Sequence, residues 1–482
     1  MRINLPRIPP LDPVCELALA DCLLAEGTLA AAMAQNDSAQ ARLEEAQEIY
    51  LKYNVQEKQA WIQLEFGNVS VNRGQFNLAR SRFQQALDLA VKMQSAVCER
   101  DALHGLGRVD LALGDHRTAG ENLDRSLALS EALNDWWLGM HTIRLRGNAH
   151  KAVGKSDLAR SCYRRSLELA RDYGSQQAIS LTLSNLGMLA MIASDYPLAR
   201  RYYEQVLTIQ RDGDNVRMLA NTLHNLGVTV TDLGEPEYGL KLLDEALEIH
   251  IQNDNQDGKA FTLLYRAYAL EVLNDLAGAE IIYRQALALF ETSGNSGGAC
   301  DARECLGFLL LSLDRNAEAE QLFQSTLRLR QIQAEPGGIA TTCRGLARAT
   351  AALGRFDEAR AHFRRALELA LDAQWIGTLL HTFVEIANFH AQLGNIEEAV
   401  QILLSVLRDG RIVVPMQQKI RVRLATLLPT LDAKTALEKQ RSNKPLDVEA
   451  MAKALISSLQ NDNETQKTIG TPPDDVTQRN AG

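Results

Sequence analysis

The sequence predicts an all-α solenoid built from about ten helix–turn–helix units. The first observation is a forty-residue spacing of residues that suit helix ends, the grid of Gly74, Gly114, Gly154, Ser194, Gly234, Asn274, Asp314, Gly354 and Gly394. The second is that small residues recur seven positions before and five positions after each grid residue, and Leu recurs thirteen positions after it. An internal repeat with a period of about 20–50 residues is the signature of stacked repeat architectures.

Each unit is predicted to contain a helix A, a tight turn and a helix B. The grid glycine fits the left-handed conformation that ends a helix, and Asn or Asp tolerates the same conformation, whereas Ser194 is the least suited member. Residues whose side chains cap helices follow the grid directly, at Asp115, Asp195, Asp275 and Asn395. Pro197 and Pro236 suit the first turn of helix B.

The small residues of helix A predict a close approach between the two helices of a unit. Aromatic or Leu residues nine positions after the grid are expected to fill the space between units: Phe83, Leu123, Tyr163, Tyr203, Leu243, Tyr283, Phe323, Phe363 and Leu403. They recur at helical spacing with the Ala and Leu columns, so all three columns share one face of helix B.

The spacing of Gly187, Ala199, Tyr203 and Val206 resembles that of the tetratricopeptide repeat family. The family's common repeat has about 34 residues, so the longer repeat here is expected to lengthen either the helices or the link between units. Segments 184–187 and 224–227 are similar to helix A in bacterial signal-transduction ATPases, MalT-like transcription activators and animal G-protein-signalling scaffolds. The resemblance implies a right-handed solenoid with helix A on the concave surface.

The register divides the chain into five expected segments. They are a leader (1–11), a degenerate first unit (12–56), nine units of forty-residue period (57–412), a C-terminal helical cap (413–461) and a disordered tail (462–482). The cap is expected because the end face of a solenoid needs cover. Two helical patterns, Met416 to Leu428 and Leu446 to Leu459, supply it.

Composition and charge indicate a folded protein and argue against a nucleic-acid binder, a disulfide-rich protein and a membrane-spanning protein. Hydrophobic residues make up 46% and charged residues 23%, which is ordinary for a folded chain. The formal net charge of −9 argues against a nucleic-acid binder, whose footprint is basic. Seven Cys without a CxxC pair indicate free thiols in a reducing cytoplasm. No signal peptide or membrane-spanning segment is expected, since the most apolar N-terminal run, 14–34, carries acidic residues.

No motif in the chain predicts catalysis, a cofactor or a metal site. Gly154-Lys155-Ser156 lacks the spacing and the preceding strand of a phosphate-binding loop. The GxSxG match at 294–298 lies between two helices, where a nucleophile elbow needs a strand before it. We therefore expect a protein that is not an enzyme.

A partner is expected to bind on helix A. The exposed stripe of helix A holds the candidate residues His104, Arg108, Arg144, Asn148, Asn185, Met188, Asn225, Phe261, Leu264, Tyr268, Phe308, Arg344 and Arg348. Mixed aromatic, Met and Arg character suits capture of a peptide or helix. Asn side chains can donate to and accept from an extended peptide backbone. An acidic–apolar peptide is the preferred ligand.

The sequence thus predicts a non-catalytic scaffold or sensor module, serving a bacterial regulatory or signalling system. The alternative is a switch that responds to a peptide pheromone and tightens on a short peptide. Two basic stretches of helix B, at 160–165 and 360–365, and a third basic cluster at 419–423 are interpreted as solvated faces. Trp136, Trp137 and Trp375 lie in links between units, as packed plugs or as partner anchors. The oligomeric state is left open.

Overall fold

A computed structural model describes residues 12–211, 213, 216–333, 335–432, 435–436, 439 and 446–469. The chain forms two compact units, Met1–Leu189 (unit 1) and Ala190–Gly482 (unit 2). The described residues contain α-helices, one short 3-10 helix and no strand. The predicted all-α repeat solenoid is therefore confirmed. In this part of the chain, no helix is both long and apolar enough to cross a bilayer.

The helices follow one another at nearly constant length. Their bounds are α1 Pro13–Ala32, α2 Asn36–Lys52, α3 Gln56–Asn72, α4 Phe76–Lys92, α5 Ala96–Ala112, α6 His116–Ala132, α7 Trp136–Ala152, α8 Ser156–Asp172, α9 Gln176–Ile192, α10 Tyr196–Arg211, α11 Val216–Asp232, α12 Pro236–Gln252, α13 Gln256–Val272, α14 Leu276–Ser293, α15 Ser296–Ser312, α16 Asn316–Ile332, α17 Pro336–Ala352, α18 Phe356–Asp372, α19 Ile376–Gln392, α20 Ile396–Leu407, α21 Val414–Leu427 and, after the 3-10 helix Leu428–Thr430, α22 Val448–Ile469.

Among the described residues, those with left-handed backbone recur at intervals of twenty positions. All nine grid residues have positive φ, including Ser194 at 58°. The links between units use the same conformation, at Asn54, Gln94, Asn134, Gly174, Asp254, Gly294 and Gln374. Most links between repeats are therefore as short as the turn within a repeat, at three residues, and the longer repeat resides in the helices.

The predicted helix caps form at three of four positions. The Asp115 carboxylate accepts from the Thr118 backbone N–H at 3.1 Å, and the Asp195 carboxylate accepts from Leu198 at 3.2 Å. Asp275 accepts from the Gly278 backbone N–H at 2.9 Å. Asn395 begins α20 without a side-chain hydrogen bond. Side-chain capping thus fixes the start of α6, α10 and α14.

The large side chains of helix B pack directly against the small residues of helix A. A Cβ atom on Gly147 would lie 2.5 Å from Cε1 of Tyr163, and one on Gly107 would lie 2.6 Å from Cγ of Leu123. Tyr163 and Leu123 are buried. Close approach of the two helices within a unit, predicted from the glycine column, is therefore observed, and it leaves no room for a side chain at these positions.

Two helices at the C-terminal end of unit 2 pack in different ways. Helix α22 lies against α18 and α19 and buries Leu455 and Leu459. Helix α21 instead reaches back along unit 2, where the Lys419 Nζ lies 3.4 Å from a carboxylate oxygen of Glu271. The expected leader 1–11 lies outside the described residues. Of the expected disordered tail 462–482, residues 462–469 continue α22 and residues 470–482 lie outside the described part of the chain.

Candidate functional site

The predicted partner residues fall on two faces, one in each unit. The unit-1 face carries His104 and Arg108 of α5, Arg144 and Asn148 of α7, and Asn185 and Met188 of α9. The unit-2 face carries Asn225 of α11, Phe261, Leu264 and Tyr268 of α13, Phe308 of α15, and Arg344 and Arg348 of α17. Successive A helices touch one another, as α5 touches α3 and α7 in unit 1, and α15 touches α13 and α17 in unit 2.

The unit-1 face gathers cations that have no carboxylate partner. Arg108, Arg144 and Lys151 have no Asp or Glu oxygen within 4.0 Å in the ranges that the structure describes. Arg108 donates from Nη2 to Asn68 Oδ1 at 2.7 Å, and Lys151 donates to the Met188 sulfur at 3.0 Å. The Nε atoms of Arg108 and Arg144 are buried without a hydrogen-bond partner. The Glu65 carboxylate of α3 acts on the charge of Arg108 from beyond ion-pair distance, so Arg144 and Lys151 carry the least compensated positive charge of this face.

Burial shapes the electrostatics of this face. Desolvation lowers the pKa of Arg108, Arg144 and Lys151 from their ordinary values. The positive charge of Arg108 lowers the pKa of Arg144 further. An anion bound here would compensate these cations for the hydration that they have lost.

Arg100, a buried arginine elsewhere in unit 1, does have carboxylate partners. Arg100, also in α5, lies 2.8 Å from the Asp101 carboxylate and 2.6 Å from that of Asp135. These bonds satisfy a guanidinium that is almost entirely shielded from solvent. The absence of such partners at Arg144 is thus a property of the unit-1 face and not of every buried arginine in the unit.

The predicted residue His104 and its counterpart in register, His224, each link the A helices of neighbouring repeats. The His104 Nδ1 lies 2.9 Å from the Thr142 hydroxyl, and the His224 Nδ1 lies 3.1 Å from the Thr262 hydroxyl. Burial lowers the pKa of His104 to about 3 and that of His224 to about 4. Both rings are therefore neutral at pH 7 and serve a shared packing role.

Other residues of the unit-1 face leave hydrogen-bond donors and apolar surface free to contact a partner. Asn148 accepts a hydrogen bond from the Tyr163 hydroxyl at 2.8 Å, so its amide nitrogen is left for another acceptor. The Asn185 Nδ2 is buried and has no partner. Met188 and the ring of Trp137 are exposed, and Trp137 packs edge-on against Tyr173. Polar donors and apolar surface thus lie on the same A helices as the cations.

The unit-2 face is more fully engaged with its own chain. Phe261 packs edge-on against Phe290, with 4.7 Å between ring centroids. The Tyr268 hydroxyl donates to Asp232 at 2.9 Å, and Arg348 lies 3.3 Å from Glu385. The Thr229 hydroxyl donates to the backbone carbonyl of Asn225 within α11, a bond that does not involve the Asn225 side chain. The face therefore holds fewer free groups than its counterpart in unit 1.

Leu264 lies inside unit 2 rather than on its surface. Its side chain is 4% exposed and belongs to the hydrophobic core around Leu263 and Leu306. The sequence placed it on the exposed stripe because its register matches that of Arg144 and Arg344. Long polar side chains at this position reach the surface, whereas a Leu packs into the core.

A cavity of about 850 Å³ lies within unit 2. Its walls include Tyr268, Phe308, Arg344 and Arg348 of the predicted face. The sequence interpretation did not include residues of α21 in the site, yet Met416, Lys419, Ile420 and Arg423 line the same cavity. The only sequence signal was the basic cluster at 419–423, which was interpreted as a solvated face.

The other sequence candidates behave as structural features. Arg160 and Arg165 lie 3.4 and 3.3 Å from Asp157 and Glu168 of their own helix, as expected for a solvated face. Cys300 and Cys343 are buried thiols. Among the described residues, no cluster of His, Cys, Asp and Glu is placed to hold a metal ion.

Comparison by sequence identifies the repeat. A family model described as tetratricopeptide repeat matches residues 139–212 and 299–372, and a second model with the same description matches residues 219–252. These matches cover repeats in both units. No curated protein matches the chain.

Solved structures share the architecture at low identity. The apo form of the quorum sensor NprR from B. thuringiensis is 15% identical, with a TM-score of 0.55 over 72% of this chain and 98% of that one. The Rap conjugation gene regulator of plasmid pLS20, solved with a Phr peptide, is 14% identical, with a TM-score of 0.50 over 72% of this chain and 97% of that one. A signal transduction ATPase with a tetratricopeptide repeat sensor from Pyrococcus horikoshii is 14% identical, with a TM-score of 0.52 over 71% of this chain and 52% of that one.

Proposed function

Because the chain belongs to the tetratricopeptide repeat family, we propose that it is a non-catalytic interaction module of a bacterial regulatory system. Its unit-1 face binds an acidic–apolar segment of a partner protein. The free state of all seven cysteines supports a reducing, cytoplasmic setting. The solved neighbours NprR and Rap are described as a quorum sensor and a conjugation gene regulator, which suits a regulatory role.

The observation that carries this proposal is the set of unpaired cations on the unit-1 face. These cations are half-buried, and a charge that is partly removed from water without an ion-pair partner is stabilised by a matching anion. Arg108, Arg144 and Lys151 therefore favour Asp or Glu side chains on a partner. The exposed surfaces of Trp137 and Met188 favour apolar side chains beside those acids.

A short peptide messenger is the second candidate. The Asn185 amide nitrogen is buried and unpartnered, so it can donate to the backbone carbonyl of an extended peptide. This version requires the solenoid to tighten when the peptide binds. Small-angle scattering with and without an acidic–apolar peptide separates the two candidates, because a scaffold keeps its radius of gyration and a switch reduces it.

The test compares two matched double variants in affinity capture from native cell lysate. Arg108→Gln with Arg144→Gln neutralises the unit-1 face. Arg164→Gln with Arg171→Gln removes the same charge from exposed positions of α8. We expect the first variant to lose the partner that wild type captures and the second to retain it. Chemical cross-linking should then place acidic residues of that partner against α5 or α7.

Retention of every wild-type partner by the unit-1 variant would falsify the proposal. Circular dichroism of each variant confirms the helical content before capture. Loss of the same partner from both variants would also overturn it, since binding would then follow overall charge rather than the unit-1 face.

A further inference from the structure

Helix α21 covers part of the unit-2 face. Lys419 near its middle lies 3.4 Å from Glu271 at the end of α13, and the two residues are 148 positions apart in the chain. At the N-terminal end of α21, Val414 lies against the Gly234 turn, where a Cβ atom would be 2.8 Å from Val414 Cγ1. The chain's own helix thus turns an open face into a chamber, the 850 Å³ cavity between α21 and helices α13, α15, α17 and α19.

The chamber has the size and walls of a small-molecule site. Ligand cavities in proteins typically measure about 300–1,000 Å³ and are mostly apolar with a few polar groups. Here the apolar wall is made by Phe308 and Phe389 from the A helices and by Met416 and Ile420 from α21. The aromatic or aliphatic part of a ligand would pack against this wall.

The charges in the chamber do not balance. Arg348 is matched by Glu385 at 3.3 Å, and Lys419 by Glu271 at 3.4 Å. Arg344 and Arg423 have no hydrogen bond or ion pair within the described ranges, and the Nε of each is buried without a partner. The Glu385 carboxylate acts on Arg344 as well as on Arg348, so the two arginines share one anion. Asp314 is the remaining anion of the wall. One positive charge is therefore left over.

The two unmatched guanidiniums come from different walls. Arg344 projects from α17 and lies over the Phe308 ring, 4.3 Å from its centroid, which fixes its position. Arg423 projects from α21. Guanidinium groups bind carboxylates and other oxyanions with paired N–H donors. The same wall contains His381, whose pKa is lowered to about 3 by burial, so this ring is neutral and adds no charge.

We propose that the chamber of unit 2 binds a small molecule that carries one anionic group on an aromatic or aliphatic body. Arg344 and Arg423 hold the anion, and Phe308, Met416 and Ile420 pack on the body. The inference is independent of the partner site on unit 1. The carboxylate end of an apolar peptide has the same chemistry as a free organic acid, so the experiment distinguishes the two sources.

The probe is 8-anilinonaphthalene-1-sulfonate, an aromatic monoanion whose fluorescence rises in apolar sites. Titration of the full chain should show saturable binding with one probe per chain. Arg344→Gln with Arg423→Gln should weaken binding at least tenfold. Arg421→Gln, an exposed position of the same helix, should leave it unchanged. Arg423→Gln alone, with a several-fold loss, keeps the test valid if the Arg344 change disturbs folding.

Displacement of the bound probe identifies the source of the anion. Phenylacetate and the dipeptide acetyl-Leu-Phe are compared with their uncharged amides. Displacement by either acid, and not by its amide, supports the chamber and shows whether a free acid or a chain end fits better. Equal displacement by acids and amides, non-saturable binding, or unchanged binding in the Arg423→Gln variant overturns the proposal.

Discussion

Single residues decide how closely the helices of a unit approach. The Gly147 position has no room for a methyl group, because Tyr163 lies where the methyl group would be. Gly120, on the helix B that follows α5, has open space around it. The same substitution at the two positions therefore tests packing and backbone effects separately.

We expect Gly147→Ala to destabilise unit 1 by about 1–3 kcal/mol, the usual cost of overpacking a core. Gly120→Ala should stabilise it by about 0.5–1 kcal/mol, because alanine favours the helix. Urea unfolding followed by circular dichroism measures both. Equal effects of the two changes would show that Gly147 is not in tight contact with Tyr163.

A second residue-scale effect concerns Asp232 and pH. Burial raises the pKa of Asp232 to about 7, although the hydrogen bond from Tyr268 opposes this rise. Its unfolded value is near 3.8. Because the folded-state pKa is raised, the stability contribution of this group is fully present below pH 3.8 and is lost as pH rises through about 7. The slope cannot exceed about 1.4 kcal/mol per pH unit.

Asp232→Asn should remove this pH dependence. The difference in urea midpoint between wild type and the variant is expected to change from pH 4 to pH 7 and to level off above pH 7. Tyr268→Phe serves as the control, since it removes the hydrogen bond and keeps the carboxyl group. A flat difference between Asp232→Asn and wild type over this range would contradict the raised pKa.

Residue register predicted much of the candidate site but not all of it. Arg144 and Arg344 could be placed because the same surroundings recur every forty residues. Leu264 shares their register, yet its apolar side chain packs inward, as Leu64 does at the equivalent position. The repeat fixes the backbone position, whereas the chemistry of each side chain decides whether it reaches the surface. Arg423 could not be predicted, because it lies beyond the last repeat.

At the scale of the element, each helix is held by its neighbours along the chain. Leu207 of α10 is buried in a cluster with Leu223 and Leu226 of α11. Ile251, on α12, is mostly exposed. Repeats contact chiefly their neighbours, so damage to one helix should open the chain locally rather than unfold it completely.

We expect Leu207→Ala to cost about 2–5 kcal/mol by removing buried methyl groups and leaving a cavity. Ile251→Ala should change stability by less than about 0.5 kcal/mol. Hydrogen exchange measured by mass spectrometry should show faster exchange in α10 and α11 for the first variant. Unchanged exchange there would mean that Leu207 is not part of the inter-helix core.

The order and type of the helices were predictable, while the path of α21 was not. Grid residues and caps set the ends of helices through local backbone preferences, which can be read from the sequence. The contact between Lys419 and Glu271 joins residues 148 positions apart, and no period relates them. Such a contact depends on the curvature accumulated over several repeats, which no single repeat encodes.

At the scale of the whole molecule, two compact units and neighbour-to-neighbour packing imply unfolding in parts. Because Met1–Leu189 and Ala190–Gly482 are each compact, we expect them to behave as separate cooperative blocks. A protein with several blocks departs from two-state behaviour. Stability then has no single value for the chain.

Differential scanning calorimetry should therefore give a calorimetric enthalpy larger than the van't Hoff enthalpy. The Gly147→Ala variant should shift only the part of the transition that belongs to unit 1. A single transition with equal enthalpies, shifted as a whole by this change, would show instead that the chain unfolds as one block.

Most consecutive helices are joined by three-residue links, so the backbone and the side-chain pattern repeat with different periods. Most links within and between repeats have the same length and a left-handed residue at the same place, although the helix bounds leave four residues at 212–215 and two at 294–295. The backbone therefore repeats about every twenty residues, whereas the side-chain pattern repeats every forty. Loss or gain of forty residues keeps every later helix in its layer. Loss or gain of twenty residues lets the backbone close just as well, but it exchanges inner and outer helices for the rest of the chain. A duplication that keeps each side-chain pattern in its layer therefore adds helices in pairs.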